Sequence, residues 1–192
     1  MSVAERYHRF FRLGGLPTGR HDPWHFRREC TSMRLKACVH LVQTILNRNA
    51  LRILDLGSGI TSHMIRSLMP RHALTVYTTD LSKRWLDTTV AELVRDKLDI
   101  ANCMEQTTFD NLRVEPFDVV CVDLGNMDYR VERAPDIARW TANGGIILLD
   151  DFGMRDYAER MTSALNAQGF AVAPVWETLD EYDTYMAQAV RS

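Results

Sequence analysis

From Leu51 onward, short apolar runs alternate with segments whose apolar residues recur at helical spacing. The runs are Leu51–Leu56, Ala73–Thr79, Phe117–Val122 and Ile146–Leu149. Between them, helical patterns cover Ile60–Leu68, Lys83–Leu98, Glu132–Ala142 and Arg155–Ala167. Pro70 closes the first, and Ser82 stands where the second needs a cap. A weaker strand is expected near Ile100–Glu105. Strands that are apolar almost throughout, separated by helices, predict a parallel sheet covered on both faces, the doubly wound α/β class. After Ala167 the rhythm changes. Gly169–Trp176 and Thr184–Val190 read as two strands around an acidic loop, 177–181, with no helix between them. They are expected to pair antiparallel at the end of an otherwise parallel sheet.

The first fifty residues follow a different pattern. Residues 3–12 suit a short helix, and the turn-forming stretch Leu13–Gly19 breaks it. Asp22-Pro23 is a helix start. Cys30, Met33, Cys38, Leu41, Val42, Ile45 and Leu46 then recur at helical spacing to about Arg48. The chain therefore divides into an N-terminal helical extension or lid, residues 1–49, and the sheet domain, residues 50–192.

Composition fits one domain with an extension: 192 residues, 46% hydrophobic and 25% charged. No stretch reaches the ~20 apolar residues of a membrane helix, and Met1–Arg12 lacks a signal-peptide core, so a cytoplasmic protein with no membrane partner is expected. Cys30, Cys38, Cys103 and Cys121 show no metal-ligand spacing and read as free thiols. The net charge of −2 is uneven, with residues 1–50 carrying six more basic than acidic groups and the remainder eight more acidic than basic. That basic quarter is either a solvated helical face or a cap that attracts an anionic acceptor. Its aromatics, Tyr7, Phe10, Phe11, Trp24 and Phe26, interleave with arginines and suit either packing or an acceptor pocket.

The first strand runs into Asp55-Leu56-Gly57-Ser58-Gly59-Ile60-Thr61-Ser62. Glycines at a strand–helix turn permit positive φ and close backbone approach to a ligand, at the sheet edge where doubly wound folds bind. The turn is structural only, or holds a nicotinamide dinucleotide, or holds S-adenosylmethionine (SAM). The dinucleotide fingerprint needs Gly or Ala where Ser62 stands. The acid Asp55 suits the ammonium group of SAM and repels a pyrophosphate. Asp80, closing the second strand, is placed to accept from ribose hydroxyls, or else to cap the following turn.

Together with Phe117–Asp123 and Gly144–Asp151, these pieces resemble the class I SAM-dependent methyltransferases, in order and spacing, over residues 50–190. The resemblance implies a Rossmann-like fold with an antiparallel last strand and a SAM berth. That berth would draw on Asp55, Gly57, Ser58, Gly59, Thr61, Ser62, Asp80, Leu81, Phe109 and Asp123.

Asp123 ends the fourth strand and Asp150-Asp151 the fifth. This layout is similar to metal-dependent O-methyltransferases of the catechol and macrocin types. The likeness implies that Asp123, Asp150 and Asp151 hold Mg²⁺ or Ca²⁺, which would lower the pKa of an acceptor hydroxyl. Asp151 as a helix cap is the plainer reading. The catechol type has a lysine where Asn126 stands here, so Asp123 or Asp128 is expected to serve as base, with Tyr129 near the acceptor. His63 reads as a surface or capping histidine.

The expected activity is methyl transfer from SAM to an oxygen of a small-molecule acceptor, assisted by a divalent metal, in a monomer or a homodimer. A nucleic-acid methyltransferase using the basic N-terminus is the alternative. The slight overall acidity, three lysines, and lack of an Asn/Asp-Pro-Pro-Tyr signature count against it. A non-catalytic SAM-binding protein and a nicotinamide dehydrogenase complete the set.

Overall fold

The computed structural model describes residues 33–180 and 183–192. The helix expected over 3–12, the Leu13–Gly19 turn, the Asp22-Pro23 helix start, Cys30 and the aromatic–arginine mixture of the extension lie outside them. The elements run α1 (Leu35–Asn47), β1 (Arg52–Leu56), α2 (Ile60–Arg66), β2 (Thr75–Asp80), α3 (Lys83–Arg95), β3 (Cys103–Glu105) and α4 (Gln106–Asp110). There follow β4 (Phe117–Val122), α5 (Met127–Glu132), α6 (Ala134–Trp140), β5 (Thr141–Leu149), α7 (Arg155–Asn166), β6 (Phe170–Val175), a 3₁₀ turn (Trp176–Thr178) and β7 (Met186–Arg191).

Seven strands form one sheet in the order β3-β2-β1-β4-β5-β7-β6. β1 to β5 pair in parallel, and β7 inserts antiparallel between β5 and β6. This is the doubly wound, Rossmann-like arrangement expected, with the antiparallel strand at the expected end. Side chains along a strand alternate between faces, which divides the core in two. Ile53, Val119, Cys121, Ile146 and Leu148 pack with Leu41 and Ile45 of α1 and Met64 of α2. Leu54, Val120, Val122, Ile147 and Leu149 pack on the other face with Phe109, Ile137, Tyr157 and Met161. Each such buried side chain contributes ~1.5–3 kcal/mol of transfer free energy. Cys38, Cys103 and Cys121 are free thiols, as expected.

Three elements depart from the sequence pattern, each for a local reason. The helix expected over Glu132–Ala142 is α6, and it is preceded by α5 (Met127–Glu132), which the pattern did not declare. Asn126 caps α5 by accepting from the Tyr129 amide at 2.9 Å, and Pro135, with no N–H to give, opens α6. β5 starts at Thr141, ahead of Ile146. Thr141 pairs with Phe117, Ile146 pairs with Val119, and residues 142–145 bulge between them. α4 is five residues long, too short for periodicity to declare it.

The ladder continues past the strand ends. The Gly57 amide donates to the Thr79 carbonyl (2.9 Å), that of Asp123 to Leu56 (2.7 Å), and that of Asp150 to Val122 (3.1 Å). The residues following β1, β4 and β5 are thereby fixed relative to one another along one edge. Among the described residues, no helix is long and apolar enough to cross a membrane.

Candidate active site

A cleft of ≈ 290 Å³ opens at that edge, bordered by Gly57, Ser58, Asp80, Trp85, Asp123 and Arg130, with Gly125, Met127 and Asp151 completing it. This lies at the lower end of ligand-site volumes, about 300–1,000 Å³.

On the β1 side the loop is held by two acids. Asp80 Oδ2 accepts from the Ser58 amide (2.9 Å) and hydroxyl (2.7 Å), and Oδ1 from the Ser82 amide (2.8 Å). A carboxylate has about four lone-pair positions, so Asp80 keeps accepting capacity beside the cleft. Ser82 caps α3 as expected, accepting from the Trp85 amide. The Trp85 indole N–H donates to the Ser58 carbonyl. Gly57 has φ +106°, and a Cβ there would stand 2.5 Å from the Asp123 carbonyl oxygen. The turn thus presses on the neighbouring strand end and presents bare backbone to the cleft.

Asp55 does not border the cleft. It is fully buried beneath the loop, where Oδ2 accepts from the Ser62 hydroxyl (2.6 Å) and the Thr78 hydroxyl (3.3 Å). Ser62 in turn accepts from the Gly59 amide (3.1 Å), and the Thr61 hydroxyl donates to the Gly57 carbonyl (3.4 Å). Asp55, Thr61 and Ser62 therefore brace the turn from within and are not among the residues that border the cleft. Burial pushes Asp55 up to about 6, partly offset by the hydroxyl that Ser62 donates.

Three further expectations are corrected. Phe109 is 1% exposed and packs edge-on against Trp140 (centroids 5.0 Å apart), on the core side of the sheet. Asp128 faces solvent and pairs with Arg160 at 2.7 Å, away from the acids of the cleft. His63 is no surface residue: it is buried and paired with Asp96 at 2.8 Å. Tyr129 packs against the apolar cluster containing Trp140. Leu81 is half-exposed beside Gly125, at the rim.

On the far side, Asp123, Asp150 and Asp151 converge as expected, one oxygen of each lying within 4.8 Å of the others. Asp151 adopts φ +58°, a left-handed conformation that Asp tolerates better than most residues. Burial, then the neighbouring Asp150, pushes Asp123 well above the usual carboxylate range, with Arg130 opposing. Burial and then Asp151 push Asp150 up to about 7.

Arg130, from α5, is the residue that sequence reasoning passed over. Its guanidinium, 4% exposed, donates to Asp123 Oδ1 (2.8 Å), Asp151 Oδ2 (3.2 Å) and the Leu124 carbonyl (3.1 Å). It also lies 5.9 Å from the centre of the Tyr157 ring. Burial opposes its charge, but Asp123 more than compensates, so the guanidinium stays protonated. The three carboxylates are near enough together to serve one ion, yet two of them already bind this cation. Unit charges about 4 Å apart interact by ~4 kcal/mol at an effective dielectric of about 20, and a divalent ion would meet Arg130 with about twice that repulsion. An ion at this cluster would therefore have to share or displace the contacts that Arg130 makes with Asp123 and Asp151.

No family model matches the sequence, and no curated protein does. Solved structures do match. The O-methyltransferase TomG from Streptomyces achromogenes, in complex with SAM, superposes with a TM-score of 0.64 at 15% identity, over 100% of this chain and 99% of that one. An O-methyltransferase from Bacillus cereus, in complex with S-adenosylhomocysteine (SAH), gives 0.61 at 14% identity over 98% and 90%. The SAH-bound methyltransferase PaMTH1 from Podospora anserina gives 0.63 at 17% identity over 99% and 87%. Chain order and sheet topology are thus those of the fold that these methyltransferases share.

Proposed function

We propose that the chain is a SAM-dependent methyltransferase acting on an oxygen of a small-molecule acceptor. The observation that carries this reading is the charge of the cleft. Among the described residues, Asp80, Asp123 and Asp151 border it against a single cation, Arg130. An acidic cleft at the carboxyl edge of the sheet favours a cationic nucleoside and repels a pyrophosphate, which sets SAM above a nicotinamide dinucleotide. The likeness in fold to O-methyltransferases supports oxygen as the atom methylated.

SAM, when bound, supplies a methyl group on a positively charged sulfur. The protein's part is placement. The backbone at Gly57 borders the berth of the nucleoside, and the remaining lone pairs of Asp80 accept from its ribose hydroxyls. Trp85 walls the same side. Asp123, held in place by Arg130, would take the acceptor's hydroxyl proton as the oxygen–carbon bond forms and the methyl–sulfur bond breaks, with SAH as the leaving group. Its raised proton affinity suits that task. In-line positioning in a closed site supplies several kcal/mol of the barrier reduction, up to ~7–11 in ideal cases. The divalent metal expected on Asp123, Asp150 and Asp151 supplies no step in this scheme.

Calorimetry with SAH and with NAD⁺ tests the reading. SAH is expected to bind and NAD⁺ not. Asp80→Asn, which loses a charged acceptor, is expected to weaken SAH by roughly 10–150-fold. Binding of NAD⁺, or no uptake of SAH by the wild-type chain, overturns the assignment.

A further inference from the structure

We infer that Arg130 is the resident cation of the Asp123–Asp150–Asp151 cluster and makes it independent of divalent metal. The inference rests on the methyltransferase reading for its functional meaning, but not for its test. The cluster has the donors a hard cation needs, within 4.8 Å of one another. It also has a cation built into the chain. The Arg130 guanidinium spans two of the three acids, at 2.8 Å from Asp123 and 3.2 Å from Asp151. Its geometry is fixed by more than charge. The Nε–H donates to the Leu124 carbonyl, and a second Nη2 contact reaches the Gly125 carbonyl at 3.4 Å. The side chain thus ties α5 to the loop leaving β4. A planar fork of donors matches carboxylates that a spherical ion would otherwise gather. Removing either partner of a buried pair leaves the other uncompensated, so the acids need Arg130 as much as it needs them. Arg130 is accordingly a positioning residue: it holds Asp123 and Asp151 in register beside the cleft and supplies one positive charge among the three acids.

The test uses the full chain, with MgCl₂, CaCl₂ and MnCl₂ as the probes. Wild-type protein titrated calorimetrically is expected to take up no divalent ion at micromolar affinity. Its melting temperature is expected to be the same in EDTA as in millimolar MgCl₂. Arg130→Met keeps the stem and removes the charge. It is expected to melt lower by roughly 6–20 °C and to recover part of that loss when divalent ions are added, because the freed carboxylates now accept them. Arg130→Lys should regain much of the stability without ions. A guanidinium with only a packing role would show no such ion-dependent recovery. Stoichiometric metal uptake by the wild type that disappears in Asp123→Asn overturns the inference, as does an Arg130→Met protein that melts like the wild type. If Arg130→Met does not fold, the wild-type titration decides alone. SAH calorimetry in EDTA separates the two claims. Failure to bind SAH under every condition sinks the methyltransferase reading and leaves the cation assignment standing. SAH binding that requires added metal sinks the cation assignment alone.

Discussion

Gly57 is constrained twice over. A methyl group there would collide with the Asp123 carbonyl while the backbone holds φ at +106°. Gly57→Ala is therefore expected to cost about 2–5 kcal/mol in urea unfolding, from left-handed strain and overpacking together, and to abolish SAH binding. A result under 1 kcal/mol would show that the loop shifts freely. Gly57, Asp80, Asp123, Asp150 and Asp151 were legible in the sequence because strand-end chemistry declares itself by position. Trp85 and Arg130 were not. A tryptophan near the start of an amphipathic helix, or an arginine inside Asp128-Tyr129-Arg130, has no diagnostic spacing; only the placement of α3 and α5 over the strand ends assigns them. The same helix explains the miss at Asp128. Residues two apart point in different directions, so Arg130 turns inward and Asp128 meets Arg160 outside.

Among the elements, the parallel strands were readable because burial on both faces makes them apolar throughout. The antiparallel pair was readable from the missing helix. What the pattern could not reveal was how β6 and β7 are joined. Thr178, 1% exposed, sits in the 3₁₀ turn, donates to the Val175 carbonyl (2.6 Å) and accepts from the Met186 amide (2.8 Å). One hydroxyl thus ties the end of one strand to the start of the next. Thr178→Val keeps the shape and leaves a buried amide and carbonyl unmatched. The expected loss is ~1–3 kcal/mol in denaturant unfolding with an unchanged m-value. No loss would mean that the turn is held by its packing alone.

Across the whole molecule, buried acids set how stability responds to pH. Asp55 titrates at about 6 in the folded chain against an ordinary 3.8. The native state therefore holds this proton more tightly than the unfolded state does. The resulting stabilisation is complete below the ordinary value and is lost as pH rises through about 6, a change of about 3 kcal/mol. Asp150, pushed up to about 7, acts in the same sense over a window reaching about pH 7. Urea unfolding across a pH series should show stability falling from about pH 4 to 7. Asp55→Asn should flatten the lower part of that slope; an unaltered slope would remove Asp55 from the account. The continuation of the ladder at Gly57, Asp123 and Asp150 has a consequence of another kind. The floor of the cleft is a single welded piece across three strand ends. A change in what the cleft accepts is therefore expected to come from the helices and loops around it, while its foundation stays as it is.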